Sequence, residues 1–306
     1  MNATLTSVPG IRVGHASVDD GGSGCTVILG PFRGAVETRG LATGSRELGT
    51  LAVDHLVGRI DAILLTGGSA FGLAAADGVM SWLSERGLGF PTSTVPVPIV
   101  PAAVIFDLAD GRGRPGSDEG RAACEAATAD RVAEGRVGAG TGATVGKIGG
   151  MEGASAGGLG SAAVTCGGHR VGALVVANAL GDVRDAQGGI VAGARGPSGE
   201  WLDTLALLAG GGLKRAGPPP LSPGTNTTLA VVATDAPLDR VDLGRLARMA
   251  SNGLARRITP IHTPFDGDVV FAVSTGEDTH EASAAEVTAQ QAVEGAIIRA
   301  VTEGPR

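Results

Sequence analysis

Thr227 is the residue whose type and position point most directly to chemistry. It follows a connector, residues 210–224, with four prolines and five glycines, and it opens an apolar segment of high β-propensity, residues 227–234. A threonine hydroxyl is a weak nucleophile unless a base lies nearby, and a cut before Thr227 frees an α-amine with a pKa of about 7.7–8.0 that meets this need. The junction offers what self-cleavage after Asn226 requires, namely a bond expected in an accessible loop and a threonine on a rigid strand, but a threonine at a strand start after a proline-rich loop is also a common structural arrangement. Thr228 is the alternative, although a cut one residue later would shift the strand register.

Lys147 is one of only two lysines, against 22 arginines, and it ends a glycine-rich segment, residues 140–147. This segment is similar to a phosphate-binding loop. However, the Walker pattern needs glycine at position 141 and serine or threonine at position 148, where this chain has Thr141 and Ile148. The segment does not match the dinucleotide-binding fingerprint either, because three residues instead of two separate Gly142 from Gly146. Nucleotide binding is therefore not predicted.

Two further patterns suggest chemistry and have simpler interpretations. Residues 67–72 begin like a nucleophile elbow around Ser69, but Phe71 stands where the second glycine belongs, so a tight strand-to-helix turn is the preferred interpretation. His262 and Asp266 are spaced like metal ligands, yet the five histidines are scattered and the three cysteines are far apart. No metal site or cofactor is predicted.

Five sequence motifs and one asparagine, taken in order along nearly the whole chain, resemble the DmpA family of L-aminopeptidase/D-esterases, β-peptidyl aminopeptidases and nylon-oligomer endohydrolases. The resemblance is carried by residues 8–15, 65–72, 138–147, 226–238 and 262–268, and by Asn178. It implies a four-layer αββα sandwich of the N-terminal-nucleophile hydrolase type. It also implies one catalytic domain, residues 1–306, that cuts itself into chains 1–226 and 227–306.

The same resemblance assigns roles to five residues. Thr227 corresponds to the nucleophile, and Asn178 corresponds to the amide that stabilises the oxyanion. The ammonium of Lys147 would favour the neutral α-amine of the nucleophile and stabilise developing negative charge. Asp266 and Asp268 match the paired positions that orient the nucleophile and its amine.

The resemblance also implies an activity. The expected function is a self-processing amidohydrolase or aminopeptidase that removes N-terminal residues from small peptides or amino-acid amides through an acyl-enzyme on Thr227. Because a threonine follows Asn226, the junction is closer to the nylon-oligomer branch than to the aminopeptidases, whose usual nucleophile is serine. An endo-amidase or esterase acting on D-, β- or ω-amino-acid oligomers is therefore the alternative. Phe106 stands where some relatives carry a pocket tyrosine, so no relative's specificity transfers directly.

A different class of protein also remains open, namely an unprocessed binding protein without catalytic activity. For the enzyme, the resemblance implies a homotetramer of processed protomers.

The candidate site residues must be positioned by a mixture of strands and helices. Short apolar runs predict buried strands at residues 24–30, 61–66, 171–178, 227–234 and 269–274. Helices are predicted between residue 72 and about residue 87, and over 118–133, 243–254 and 285–301. Because strict alternation of strand and helix is lacking, a layered α/β sandwich is expected, with one core shared by the two sides of the connector.

Composition excludes other classes of function. The net charge is −7 and no basic cluster exceeds two residues, so the cationic face that nucleic acid needs is not predicted. The most apolar stretch, residues 95–108, contains three prolines and is too short to span a bilayer. No signal peptide is recognised at the N-terminus, and a cytoplasmic location is expected.

Overall fold

The structure of the protein is a computed structural model, and it describes residues 2–18, 21–211, 225–276 and 284–303. From residue 212 onwards the predicted connector lies outside these described residues. The strands are β1 (Arg12–Ser17), β2 (Gly24–Thr38), β3 (Ser45–Arg46), β4 (Ile60–Thr66), β5 (Ala102–Val104), β6 (Thr144–Val145), β7 (Ser155–Ala156), β8 (Gly158–Cys166), β9 (His169–Asn178), β10 (Asp182–Arg184), β11 (Ile190–Ala192), β12 (Thr227–Thr234), β13 (Ile258–Thr259) and β14 (Val269–Ser274). The helices are α1 (Ala75–Ser84), α2 (Ser117–Glu125), α3 (Thr204–Ala209), α4 (Arg240–Arg257) and α5 (Ala285–Thr302).

The long strand β2 joins two half-sheets. Hydrogen bonding runs in the order β3-β5-β4-β2-β14-β12-β9-β8, with β1 also pairing with β2. The first part of β2 pairs with β1 and β4, and its last part, from Arg33 to Thr38, pairs with β14. The register shifts between Leu29 and Phe32, where a bulge allows one strand to change partners.

Three apolar layers separate four layers of secondary structure. Helices α1 and α2 pack on one face of the first half-sheet, and α4 and α5 pack on one face of the second. The two half-sheets pack on each other through their inner faces. Successive side chains of β12 point to opposite faces of the sheet. Leu229 and Val231 lie in the central layer, and Ala230 and Val232 lie under the helices. This arrangement confirms the predicted αββα sandwich.

Strand β8 was not predicted from the sequence, because it is built from small residues rather than from a long apolar run. Its glycines allow α5 to lie directly on the strand. A Cβ atom on Gly160 would lie 2.2 Å from the carbonyl oxygen of Ala296. Any larger residue at this position would therefore push the helix away from the sheet.

Several predicted elements are confirmed at their bounds, namely residues 227–234, 269–274 and, within one residue, 285–301. Two predictions were wrong at one end. The helix predicted to reach residue 133 ends at Glu125, because Thr128 instead exchanges two backbone hydrogen bonds with Val13 of β1. The strand predicted to end at residue 30 continues to Thr38, because it belongs to both half-sheets.

None of the helices in the described ranges combines the length and the apolar composition that a membrane-spanning segment needs.

Candidate active site

The amino end of β12 is the point at which the predicted site residues meet. Thr227 is the first residue of β12, and its partner in the antiparallel neighbour β9 is Asn178, the last residue of that strand. Strand β14 runs parallel to β12, so Asp268, directly before β14, lies at the same edge. Sheet topology therefore brings together three residues that are far apart in sequence.

The bond between Asn226 and Thr227 is buried. The two residues are 1% and 3% exposed, and the chain is continuous between them, so this geometry belongs to the uncut protein. Asn226 forms a parallel bridge with Asp266, which extends the sheet by one residue pair. The prediction that the bond lies in an accessible loop was therefore wrong, because the sheet continues past the start of β12.

The carbonyl group of Asn226 is held by two donors. The Thr227 hydroxyl donates to its oxygen at 2.6 Å, and the backbone N–H of Gly267 donates at 3.0 Å. The Gly267 N–H is already directed at the oxygen that would become negative if the carbonyl carbon were attacked. Sequence reasoning did not identify this donor, because a backbone N–H carries no residue-type signal.

Lys147 is a buried cation surrounded by oxygen acceptors. Its side chain is 5% exposed, and Nζ donates to the carbonyl oxygens of Asn178 (3.0 Å) and Thr225 (2.9 Å) and to Oδ1 of Asn178 (2.9 Å). Three acceptors match the three N–H groups of an ammonium. Burial lowers the pKa of Lys147 to about 7, although the charges of Asp266 and Asp107 oppose this shift. This lysine is not a solvated surface residue.

The orientation of the Asn178 amide follows from its neighbours. Its Oδ1 accepts from Lys147 Nζ and from the backbone N–H of Thr144 at 3.1 Å. Because both of these groups are donors, Nδ2 must point the other way, towards the carbonyl oxygens of Phe106 (3.3 Å) and Thr225 (3.5 Å). The NH₂ group thus lies on the side where the chain enters the junction, and it donates there to two backbone carbonyl oxygens.

Asp266 and Asp268 are both fully buried and make different contacts. Asp268 Oδ1 accepts from the backbone N–H of Thr228 at 2.6 Å, which fixes the backbone directly after the junction. Asp266 Oδ2 accepts from the backbone N–H and the hydroxyl of Thr263. Burial, together with the nearby charge of Asp268, raises the pKa of Asp266.

His262 was considered only as a metal ligand from the sequence, and the structure gives it another position. Its Nδ1 lies 2.8 Å from Asp268 Oδ2, and its Nε2 lies 3.1 Å from the hydroxyl of Ser251 on α4. The backbone of His262 is left-handed, with φ of 57°, which is uncommon for a residue with a side chain. In the described part of the chain no group of three or more histidine, cysteine or acidic residues is placed to hold a metal ion.

Two cavities adjoin the junction and share Phe106 in their walls. A cavity of about 230 Å³ is lined by Thr227 and Ser69, and one of about 480 Å³ is lined by Lys147 and Thr225. Ser69 begins a short 3-10 helix after Gly68, and both have positive φ, which confirms the predicted tight turn. Phe106 thus occupies the wall between two spaces that can receive a ligand.

A known protein family matches nearly the whole chain. The sequence matches peptidase family S58 over residues 3–305. The chain belongs to this family. The predicted resemblance to DmpA-type enzymes is thereby confirmed, and this S58 protein is a hydrolase.

Two similar proteins have names that describe an activity. An uncharacterised aminopeptidase of Mycobacterium tuberculosis is 44% identical over 297 residues, covering 89% of this chain and 81% of the relative. A 6-aminohexanoate-oligomer endohydrolase of Kocuria sp. is 34% identical over 281 residues, covering 88% and 74%.

A solved structure agrees with the fold of this S58 protein. The L-aminopeptidase D-Ala-esterase/amidase of Ochrobactrum anthropi, described as a variant of the Ntn hydrolase fold, has a TM-score of 0.73 at 23% identity. The match covers 98% of this chain and 85% of that one. At this identity the likeness establishes the fold, which is the one expected from the sequence.

Proposed function

We propose that this S58 protein cuts itself between Asn226 and Thr227 and then hydrolyses amide bonds of small peptides or amino-acid amides with Thr227 as the nucleophile. The observation that carries the proposal is the position of Thr227. Its hydroxyl lies 2.6 Å from the carbonyl oxygen of the preceding residue, and the same residue lines a cavity. One hydroxyl is therefore next to both the bond to be cut and a space for substrate.

Burial of the junction supports self-cleavage rather than cleavage by a separate protease. A protease must bind an extended, exposed segment, and the Asn226–Thr227 bond is buried within a sheet bridge. An intramolecular attack needs no such access. The products would be chains 1–226 and 227–306, held together by the apolar layers to which both contribute.

The first stage is an N-to-O acyl shift followed by hydrolysis. Thr227 Oγ attacks the carbonyl carbon of Asn226, and the N–H of Gly267 donates to the oxygen as it becomes negative. The C–N bond breaks, the Thr227 nitrogen takes up the proton lost by the hydroxyl, and an ester to Oγ remains. Water then hydrolyses the ester, leaving a carboxylate on Asn226 and a free hydroxyl and amine on Thr227.

The second stage repeats this chemistry on a substrate. The free α-amine accepts the hydroxyl proton and delivers it to the leaving amine, and water releases the acyl group from Oγ. Asn178 Nδ2 is oriented to donate to the tetrahedral oxygen, because its Oδ1 is held by Lys147 and Thr144. The Lys147 ammonium favours the neutral form of the α-amine.

The two acidic residues act by orientation. Asp268 holds the backbone of Thr228 and is itself held by His262, so the start of β12 has a fixed position. Asp266 holds Asn226 in place through the sheet bridge between the two residues, and it contributes negative charge near Lys147. Neither residue needs to exchange a proton with the substrate in this scheme.

A second candidate function is cleavage of D-, β- or ω-amino-acid oligomers by an endo-amidase or esterase. It is favoured by the threonine at the junction and by the 34% identity to a 6-aminohexanoate-oligomer endohydrolase. Rates on p-nitroanilides of an α-L-, a β-, a D- and a 6-amino acid separate the two candidates.

A homotetramer of processed protomers and a cytoplasmic location stay predictions.

Intact-mass measurement of the purified protein tests the proposal. The wild type and Thr227→Ser should each give two species separated between Asn226 and Thr227, whereas Thr227→Ala should give one full-length species with activity at least about 10⁴-fold lower. Thr228→Ala should be cut at the same bond as the wild type. A full-length wild type that is nevertheless active, or normal cleavage of Thr227→Ala, would refute the proposal. A full-length, inactive wild type would favour the unprocessed binding protein without catalytic activity.

A further inference from the structure

The cavity of about 480 Å³ beside Lys147 has a positively charged lining in an acidic protein. Three cationic side chains line it, Arg112, Arg136 and Lys147, against one acidic side chain, Asp107. The formal sum of these charges is about +2 with Lys147 protonated, whereas the whole chain carries −7. A concave surface of one sign concentrates ligands of the opposite sign.

Asp107 is already engaged by neutral donors and does not pair with the arginines. Its Oδ2 accepts from the Ser23 hydroxyl at 2.8 Å, and its Oδ1 accepts from the backbone N–H of Gly68 at 2.6 Å. Burial raises the pKa of Asp107, while these two hydrogen bonds and the nearby Lys147 act in the opposite direction. Within the described ranges, neither Arg112 nor Arg136 forms an ion pair.

The rest of the wall suits an aliphatic chain. Phe106, Leu108 and Met151 provide apolar surface, and the volume is within the range of small-ligand sites. Guanidinium groups bind carboxylates through paired hydrogen bonds, and more strongly than neutral groups do. An apolar body with a carboxylate at its end is therefore the ligand that fits this lining.

We propose that this cavity binds the carboxylate of the substrate, and thereby selects substrates whose aliphatic group ends in a negative charge. The inference rests on the proposed function, because it assigns the cavity to the same site. Phe106 lines both this cavity and the one at Thr227, so the two spaces lie next to each other at this residue, and the proposal places one substrate across both. A substrate ammonium placed in the cavity would instead face three cations.

Two sources of the carboxylate are distinguished by two pairs of substrates. In the first pair, glutaryl p-nitroanilide is compared with the same compound carrying a terminal carboxamide, which tests a carboxylate on the acyl half. In the second pair, a dipeptide with a free C-terminus is compared with its C-terminal amide, which tests a carboxylate on the leaving half. The acid should exceed the amide in kcat/KM by about 10-fold or more in one of the two pairs, since charged hydrogen bonds contribute more than neutral ones.

Substitution of the arginines connects this preference to the cavity. In Arg112→Gln/Arg136→Gln the ratio of acid to amide should fall to within about 2-fold of unity, whereas Arg59→Gln should keep the wild-type ratio. Arg59 is the control for loss of one arginine charge elsewhere, because it is exposed and does not line the cavity. Equal rates on acid and amide in both pairs, or a preference unchanged in the double variant, would overturn the inference while leaving the proposed hydrolysis intact.

A binding measurement keeps the test independent of turnover. Calorimetric titration of the wild type should give a lower Kd for pentanoate than for pentanamide, by about 10-fold, and the double variant should lose this difference. If no substrate is hydrolysed, the proposed function fails and this titration alone decides on the cavity. Equal Kd values for the two compounds in the wild type would then refute carboxylate binding.

Discussion

The two ends of β12 both bury polar side chains, and they are built differently. At the carboxyl end, Thr234 Oγ accepts from the N–H of Ala236, and Ser274 Oγ donates to the carbonyl oxygen of Ala236 and accepts from the N–H of Gly276. Every partner of these two hydroxyl groups is a neutral backbone group. This end is a well-paired turn that closes the strand.

At the amino end, buried charges and unpaired groups are concentrated. Lys147, Asp266 and Asp268 are nearly or fully buried there. Among the residues that the structure describes, the hydroxyl of Thr228 and Oδ1 of Asn226 are buried without a hydrogen-bond partner. Such groups destabilise a fold, whereas paired neutral groups do not. The difference teaches that the hydroxyl groups at the carboxyl end are paired, whereas buried charge and unpaired groups gather at the amino end, where the proposed site lies.

The largest effect after loss of the nucleophile itself is expected at the buried cation. Lys147→Met should slow both self-cleavage and turnover by about 10³-fold, because the charge that favours the neutral amine and the oxyanion is lost. Cleavage followed by gel electrophoresis over time, and kcat on a p-nitroanilide, measure the two effects. Rates within a few-fold of the wild type would show that the buried charge at the amino end of β12 does not support the chemistry.

The same lysine should also give the stability a recognisable pH dependence. Its pKa falls from 10.5 to about 7 in the folded chain, so between these values the unfolded chain binds more protons. The free energy of unfolding should therefore rise from about pH 7 towards pH 10.5, and below pH 7 this contribution is constant. Urea unfolding of uncut Thr227→Ala and of Thr227→Ala/Lys147→Met at pH 7 and pH 9 should show the rise only in the former.

A somewhat smaller loss is expected from the oriented amide. Asn178→Ala removes one donor to the tetrahedral oxygen and should lower kcat by about 10²-fold while KM changes by less than about 3-fold. Steady-state kinetics on the processed variant separate the two parameters. A rise in KM with unchanged kcat would mean that the amide binds the ground state instead.

An intermediate effect is expected at His262, which acts through Asp268. His262→Ala should lower the rate of self-cleavage by about 10-fold, because Asp268 loses a donor and the start of β12 loses its fixed position. His262→Asn should recover most of the rate, since asparagine offers an N–H donor and tolerates left-handed backbone. If both variants cut themselves equally slowly, loss of the hydrogen bond to Asp268 does not explain the lower rate of self-cleavage.

The smallest effect on activity is expected at the carboxyl end of β12. Ser274→Ala leaves the N–H of Gly276 and the carbonyl of Ala236 without this partner and should reduce the free energy of unfolding by about 1–3 kcal/mol. Its kcat/KM should stay within about 2-fold of the wild type. Urea unfolding together with kinetics checks both, and a large kinetic defect would mean that this end also contributes to the chemistry.

Some of the fold could be read from the sequence, and the reasons are local. Residues 227–234 and 269–274 were predicted because buried central strands need continuous apolar runs, and α5 was predicted from its helical periodicity. Strand β8 and the second half of β2 were missed. In these segments the pairing depends on glycine packing under α5 and on a bulge between two half-sheets, and neither leaves an apolar pattern.

Some groups of the candidate site were also predicted from the sequence, and others became visible only in the structure. The family resemblance named Thr227, Lys147, Asn178, Asp266 and Asp268, and the fold brings all five to one edge of the sheet. It did not name the N–H of Gly267, the His262–Ser251 contact or the arginines of the cavity. These depend on which atoms face each other across strands and loops.

The amino-acid sequence by itself determined the type of the proposed nucleophile and the apolar strand that carries it, because both are properties of consecutive residues. Only the tertiary structure decided that the bond before Thr227 is buried, that Lys147 is surrounded by three acceptors, and that positive charge gathers in one cavity. The physical reason is that solvation and electrostatic interaction depend on distance and burial. Residues remote in the chain set both quantities once the sheet has formed.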